Sequence, residues 1–159
     1  IRIETVVGDA MSIVNHQLEM NKIDLQSDLS EDLPLVKGNA NQLQQVLMNL
    51  MINAQQAMEG EPGTVTVSTR LSEDREVEIV VRDDGPGIPE QIRDKLFEPF
   101  FTTKPTGEGT GLGLSVSFGI VQDHKGEIAV DSEVGKGTQF VIRIPAAQAA
   151  VEQQAPVAV

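Results

Sequence analysis

Between Leu43 and Met58 the apolar residues Val46, Leu47, Leu50, Met51, Ala54, Ala57 and Met58 recur at steps of three and four, the spacing of a helix with one buried face. The segment starts after the cap candidates Asn39 and Asn41 and ends at Gly60, with Pro62 behind it, so a helix of about five turns is predicted. A second amphipathic helix is predicted from Ile3 to Leu18, where Ile3, Val6, Val7, Ala10, Met11, Ile13, Val14 and Leu18 keep the same spacing. The alternation of Val65, Val67 and Thr69, then of Val77, Ile79 and Val81, reads as two strands joined at Ser72-Glu73-Asp74. Ile23, Leu25 and Leu29 suggest a further short strand before Pro34. Pro89 opens a short helix through Leu96, Phe97 to Thr110 has no usable period, and a helix follows from about Leu112 to His124. Two more strands, Gly126 to Glu133 and Thr138 to Ile144, flank the turn Val134-Gly135-Lys136-Gly137. The tail from Ala146 to Val159 lacks a core face and reads as a linker or a frayed helix.

Composition narrows the function classes. At 159 residues with 40% hydrophobic content the chain is expected to form one domain with a real core. Its 12 basic against 24 acidic residues, a net charge of −12, oppose binding to nucleic acid or an anionic membrane. Five Phe, with no Tyr or Trp, leave little for base-stacking platforms. The absence of Cys excludes disulfides, thiolate metal sites and cysteine nucleophiles, and agrees with a cytoplasmic setting. No apolar run approaches the roughly 20 residues of a membrane span. With Ile at position 1, the chain is expected to be a piece of a longer protein that can hold sensor or membrane segments.

Three segments carry chemistry. On the Leu43–Met58 helix, Asn49 and Asn53 lie side by side at the edge of the apolar stripe, near Gln42 and Gln56. Neutral carboxamide oxygens suit a hard cation such as Mg²⁺ beside a triphosphate, and the alternative is a solvated face. Asp83-Asp84-Gly85-Pro86-Gly87-Ile88 follows a strand. A carboxylate there can accept a hydrogen bond from an exocyclic amine and so tell adenine from guanine, or the segment is an ordinary Asp-Gly turn. Gly107, Gly109, Gly111 and Gly113 precede a helix start, an anion site by geometry or else a flexible connection, and the pattern is neither a P-loop nor a dinucleotide fingerprint. Lys104 is the one cation between Phe97 and Leu114, placed to meet phosphate oxygens or simply solvated. His16 and His124 have no neighbours that mark a metal site or a catalytic base, and both read as structural.

In order, these segments resemble the boxes of the sensor histidine kinases. Asn49-Leu50-Met51-Ile52-Asn53-Ala54-Gln55-Gln56-Ala57 is similar to the N box, and Asp83-Asp84-Gly85-Pro86-Gly87-Ile88 to the first glycine box. Phe97-Glu98-Pro99-Phe100-Phe101-Thr102-Thr103-Lys104 resembles the F box, and Gly109-Thr110-Gly111-Leu112-Gly113-Leu114 the second glycine box. The stretches around His124-Lys125-Gly126 and from Ser132 to Pro145 resemble the closing hairpin, so the likeness spans residues 3 to 145. It implies a catalytic ATP-binding domain over 1–145 with a tail at 146–159, folded as an α/β two-layer sandwich of the Bergerat type, a mixed sheet with helices on one face. By the same resemblance Asn49 and Asn53 hold Mg²⁺ and phosphate, Asp83 reads the adenine amine, and Gly85, Gly87, Ile88 and Ala57 shape the nucleotide pocket. Gly109, Thr110, Gly111, Leu112, Gly113 and Leu114 wrap the phosphates, with Asn49 and Lys104 assigned to catalysis. Phe97, Phe100 and Phe101 pack and hinge a mobile lid. Asp84 departs from the family's common Asn.

The resemblance also implies what the chain lacks. The family's phosphorylated histidine sits on a helical dimerization segment with an acidic neighbour, and His16 has the wrong place and surroundings. The implied partners are that histidine-containing dimerization domain of the same full-length protein and a cognate response regulator. The fragment is expected to be monomeric and its parent homodimeric. Gyrase-like and chaperone ATPases on the same fold carry Glu where this chain has Asn49, because a carboxylate activates the attacking water and a carboxamide takes no proton at neutral pH. Anti-sigma-factor kinases are disfavoured on the same residue, and a nucleotide-binding module without catalysis stays open.

Overall fold

A computed structural model of the chain describes residues 1–58, 60–93, 95 and 113–147. The helix announced by the apolar stripe runs over Ala40–Ala57 (α2). Asn39 caps it, its Oδ1 accepting the Gln42 N–H at 3.1 Å and satisfying one of the donors that a helix start leaves without partners. Leu43, Val46, Leu47, Leu50 and Met51 are at most 1% exposed, and removing each such side chain from water is worth about 1.5–3 kcal/mol. The earlier helix, Ile3–Met20 (α1), buries Ile3, Val6, Val7, Ala10, Val14 and Leu18 and packs on α2, with Gln17 Nε2 donating to Gln55 Oε1 at 3.1 Å.

Five strands form one sheet: β1 (Ile23–Leu29), β2 (Gly63–Leu71), β3 (Glu76–Asp83), β4 (Glu127–Glu133) and β5 (Gly137–Pro145), in the order β1-β2-β3-β5-β4. β1 and β2 are parallel, the other three pairs antiparallel. A parallel pair needs a crossover, and α2 supplies it. Alternate residues Val65, Val67, Val77, Ile79, Val81, Phe140, Ile142 and Ile144 point to one face and join the buried residues of α1 and α2 in a single core. The opposite face carries Thr66, Arg70, Glu78, Arg82 and Arg143, the alternate residues of β2, β3 and β5. The architecture is the mixed sheet with helices on one face that the resemblance implies.

One element differs locally from the sequence expectation. The helix after Pro89 is a single turn, Glu90–Arg93 (α3), in which Pro89 O accepts both the Ile92 and the Arg93 N–H. Lys95 lies in a turn instead of continuing the helix toward Leu96. The helix expected from Leu112 to His124 runs over Gly113–Asp123 (α4). Packing also reaches past Pro145: Ala146 is 3% exposed and bridged to Val36, and the Ala147 N–H donates to Leu35 O at 2.7 Å. Alanine is small enough to lie flat on that segment, so 146 and 147 belong to the packed structure. The predicted loop from Phe97 to Thr110 and the tail beyond 147 lie outside the described residues.

Candidate functional site

Asp83 ends β3 on the core side of the sheet, 7% exposed. Its Oδ1 accepts the Gly85 N–H at 2.9 Å, and the backbone N–H of Thr138 also donates to the carboxylate. Burial raises its pKa above the ordinary carboxylate value, the two N–H groups pull it partly back, and the neighbouring Asp84 charge adds to the rise. Asp84 is exposed and turns the other way, its Oδ1 accepting the Thr64 N–H at 2.8 Å. An Asn side chain presents an oxygen at the same place, so the departure from the family's common residue keeps this bond and adds a charge.

The glycines of this loop sit in tight surroundings. A Cβ on Gly85 would stand 3.0 Å from Asp83 Oδ1 and 3.2 Å from Met58 Cγ. Gly87 has φ +80°, and a Cβ there would run into the backbone of Glu133. That backbone belongs to the β4–β5 hairpin, which underlies the loop. The Gly135 N–H donates to Pro86 O at 2.8 Å, and the Ile88 N–H donates to Ser132 Oγ at 2.7 Å. Gly137, with φ +114°, lies against the Asp83 carbonyl. Ser132, Gly135, Gly137 and Thr138 were not singled out as site residues from the sequence. Two glycines flanking Lys136, followed by a Thr, were the only local signal.

On α2, Asn49 and Asn53 are half-buried at the edge of the apolar stripe, while Gln42, Gln56 and Ala57 are exposed. Asn49 Nδ2 donates to Ser117 Oγ at 3.4 Å, and Ser117 is fully buried on α4. The end of α2 reaches the glycine loop through Met58, 5% exposed, whose side chain fills the space beside Gly63 and Gly85. Ile88 and Leu114 are half-buried and pack against the core, and Gly113 is the first residue of α4. Lys104, Gly109, Thr110, Gly111, Leu112 and the three phenylalanines Phe97, Phe100 and Phe101 lie outside the described residues. His16 is exposed on α1. His124 pins the end of α4 to the start of α2: Nε2 accepts the Asn39 N–H at 3.0 Å and Nδ1 lies 2.8 Å from Ile120 O. Those partners require the proton on Nδ1, a structural role that the sequence did not connect to Asn39.

The candidate site thus comprises a buried acceptor at a strand end, linked through Met58 to the end of α2, and a neutral amide pair on α2 of which Asn49 meets Ser117 of α4. Among the described residues no group of three or more His, Cys, Asp or Glu gathers as for a metal ion. A hard cation held here would therefore find neutral amide oxygens, with the balancing charge supplied by its ligand, and that donor chemistry fits Mg²⁺ carried by a polyphosphate. No described helix is long and apolar enough to cross a membrane.

Known proteins share this fold. Residues 38–148 match the family described as histidine kinase-, DNA gyrase B-, and HSP90-like ATPase. Sporulation kinase E of Bacillus subtilis strain 168 is 39% identical over 149 residues, covering 94% of this chain and 20% of that kinase, so the chain spans a fifth of the length of this relative. The nucleotide-free catalytic domain of histidine kinase ThkA superposes with a TM-score of 0.79 at 32% identity, covering 91% of this chain and 93% of that one. ThkA in complex with response regulator protein TrrA gives 0.75 at 30% identity, covering 91% and 40%. Full-length ShkA in complex with AMPPNP gives 0.81 at 26% identity, covering 91% and 30%. The chain belongs to the histidine kinase-, DNA gyrase B- and HSP90-like ATPase family and is a catalytic domain of the sensor histidine kinase kind.

Proposed function

We propose that the chain binds Mg-ATP and passes its γ-phosphoryl group to a histidine on a helical dimerization domain of the same full-length protein, as the first step of two-component signalling. The observation that supports this best is Asp83. A carboxylate buried at a strand end, held by two backbone N–H groups with lone pairs to spare, suits an exocyclic amine, whereas the O6 of guanine would meet it as a second acceptor. Asn49 and Asn53 would hold Mg²⁺ through their amide oxygens, and the ion would neutralise phosphate charge. Lys104 and the backbone of Gly109, Thr110, Gly111, Leu112 and Gly113 meet the phosphates, while Ala57, Gly85, Gly87, Ile88 and Leu114 shape the pocket.

Phosphoryl transfer depends mainly on positioning and charge stabilisation. The domain holds the donor, and the acceptor imidazole comes from outside it. Asn49 has no basic group for activating water, so wasteful hydrolysis is slow. A cognate response regulator then receives the group, a step for which the ThkA–TrrA complex is the supporting parallel. The parent works as a cytoplasmic or membrane-anchored homodimer.

Incubation with labelled ATP, with and without a separately supplied cognate dimerization helix, tests the proposal. Acid-labile label on the helix alone is expected. Rapid phosphate release without the helix points instead to a hydrolase, and tight ATP binding with neither product to a module without catalysis.

A further inference from the structure

Ser132 stands where the contacts that hold the Asp83–Ile88 loop converge, and no step of the proposed reaction uses it. It lies on β4, 44 residues from Ile88. Its Oγ accepts the Ile88 N–H at 2.7 Å, lies 3.0 Å from Gly137 O and lies 2.8 Å from Thr138 Oγ1. A hydroxyl has one proton and two lone pairs. All three partners are satisfied when Ser132 donates to Gly137 O and accepts from the Ile88 N–H and the Thr138 hydroxyl. Thr138 in turn gives its backbone N–H to the Asp83 carboxylate. One oxygen therefore reaches both ends of the loop, Ile88 directly and Asp83 through Thr138. The Gly135–Pro86 hydrogen bond and the close approach of Glu133 to Gly87 flank it on the same hairpin.

We propose that Ser132 is a positioning residue for base recognition, fixing the Asp83 carboxylate against the Ile88 end of the loop so that adenine is favoured over guanine. This rests on the ATP-binding reading of the site. A hydroxyl that merely braced the hairpin would affect stability and affect both nucleotides alike.

The test uses the whole 159-residue chain. ATP and GTP affinities are measured by calorimetry, and melting without nucleotide is followed in parallel. For Ser132→Ala the affinity for ATP is expected to fall about tenfold, with a smaller loss for GTP and a cooperative melt. Ser132→Thr, which keeps the hydroxyl, is expected to restore the ATP-to-GTP ratio. An unchanged ratio in Ser132→Ala overturns the proposal, whether affinity is lost equally or not at all. Should the alanine variant not fold, Thr138→Val removes one of the three partners and is read in the same way. Asp83→Ala separates the two levels: unimpaired ATP binding there overturns the nucleotide site itself, whereas loss there with an unchanged ratio in Ser132→Ala sinks only the role of Ser132.

Discussion

Strand β3 carries a buried carboxylate near each end, and the surroundings treat the two in opposite ways. Glu78 lies on the face without helices, yet is only 4% exposed. Arg70 Nε from β2 meets it at 2.7 Å and Arg143 Nε from β5 at 3.1 Å, and Arg143 reaches on toward Glu127 of β4 at 3.9 Å. Burial alone would raise the Glu78 pKa, but the hydrogen bonds and charges of the two arginines outweigh it and hold the carboxyl below its ordinary value. Asp83, five positions along, has backbone N–H partners and an acidic neighbour, and its pKa is raised. The Glu78 carboxylate is satisfied by cations and stitches strands together. The Asp83 carboxylate keeps acceptor capacity for something outside the fold, at a cost to the fold without it.

The largest expected effect comes from the hairpin that backs the Asp83 end. Gly137→Ala puts a Cβ against the Asp83 carbonyl at a φ of +114°, and neither backbone can retreat without opening the β3–β5 pairing. A loss of about 3 kcal/mol or more is expected in urea denaturation, with loss of nucleotide binding. Near-wild-type stability would show that the hairpin does not brace Asp83.

Next comes Asp83→Asn, expected to weaken ATP binding at least about tenfold in calorimetry. Because the folded-state pKa of Asp83 is raised, its contribution to stability is present below the ordinary Asp value of about 4 and is lost as pH rises through the folded value. The nucleotide-free Asn variant is therefore expected to be more stable than wild type at pH 7, an advantage that disappears in acid. Urea midpoints at the two pH values check it, and a variant weaker at pH 7 breaks the contrast.

Glu78→Gln is expected to cost about 1 kcal/mol at pH 7, since both arginines remain partly hydrated. The sign is opposite to that at Asp83. The folded-state pKa of Glu78 is lowered, so its contribution is present above about pH 4.5 and fades as pH falls through the folded value. Wild type and variant should converge in acid, and a constant gap between their urea midpoints from pH 7 to pH 3 would count against the two-arginine account.

The smallest effect is expected for Asp84→Asn, within about 0.5 kcal/mol of wild type, because an amide oxygen can keep the Thr64 bond. Removing the like charge should move the Asp83 titration down toward its ordinary value, which carboxyl-carbon NMR can follow. An unmoved titration would mean that burial alone sets the shift.

Much of the site was legible in the residues. The α2 stripe predicted its buried positions except Ala57, which is exposed, and left Asn49 and Asn53 at its edge, and the strand before Asp83 was visible as alternation. Ser132 and Thr138 were not legible as parts of that site, because nothing local says that their hairpin folds back onto β3. His124 is the same case: its bond to Asn39 spans 85 residues, and an isolated imidazole gives no hint of it. Glu78 alternates with Val77 and Ile79 and so faces away from the core, where Arg70 and Arg143 reach it from the two neighbouring strands, a pairing across three strands that no local stretch shows.

By itself the sequence determined the main elements, most of their facing and the residue chemistry at the end of β3. Those follow from period, caps and turn residues acting over a few positions, where each side chain's environment depends on its near neighbours. Only the tertiary structure decided that β5 lies between β3 and β4, that Ser132 reaches Ile88, that Ser117 meets Asn49, and which of the two β3 carboxylates is neutralised. Strand order and register are set by how distant apolar faces pack into one core, a condition on the whole chain that no short stretch encodes.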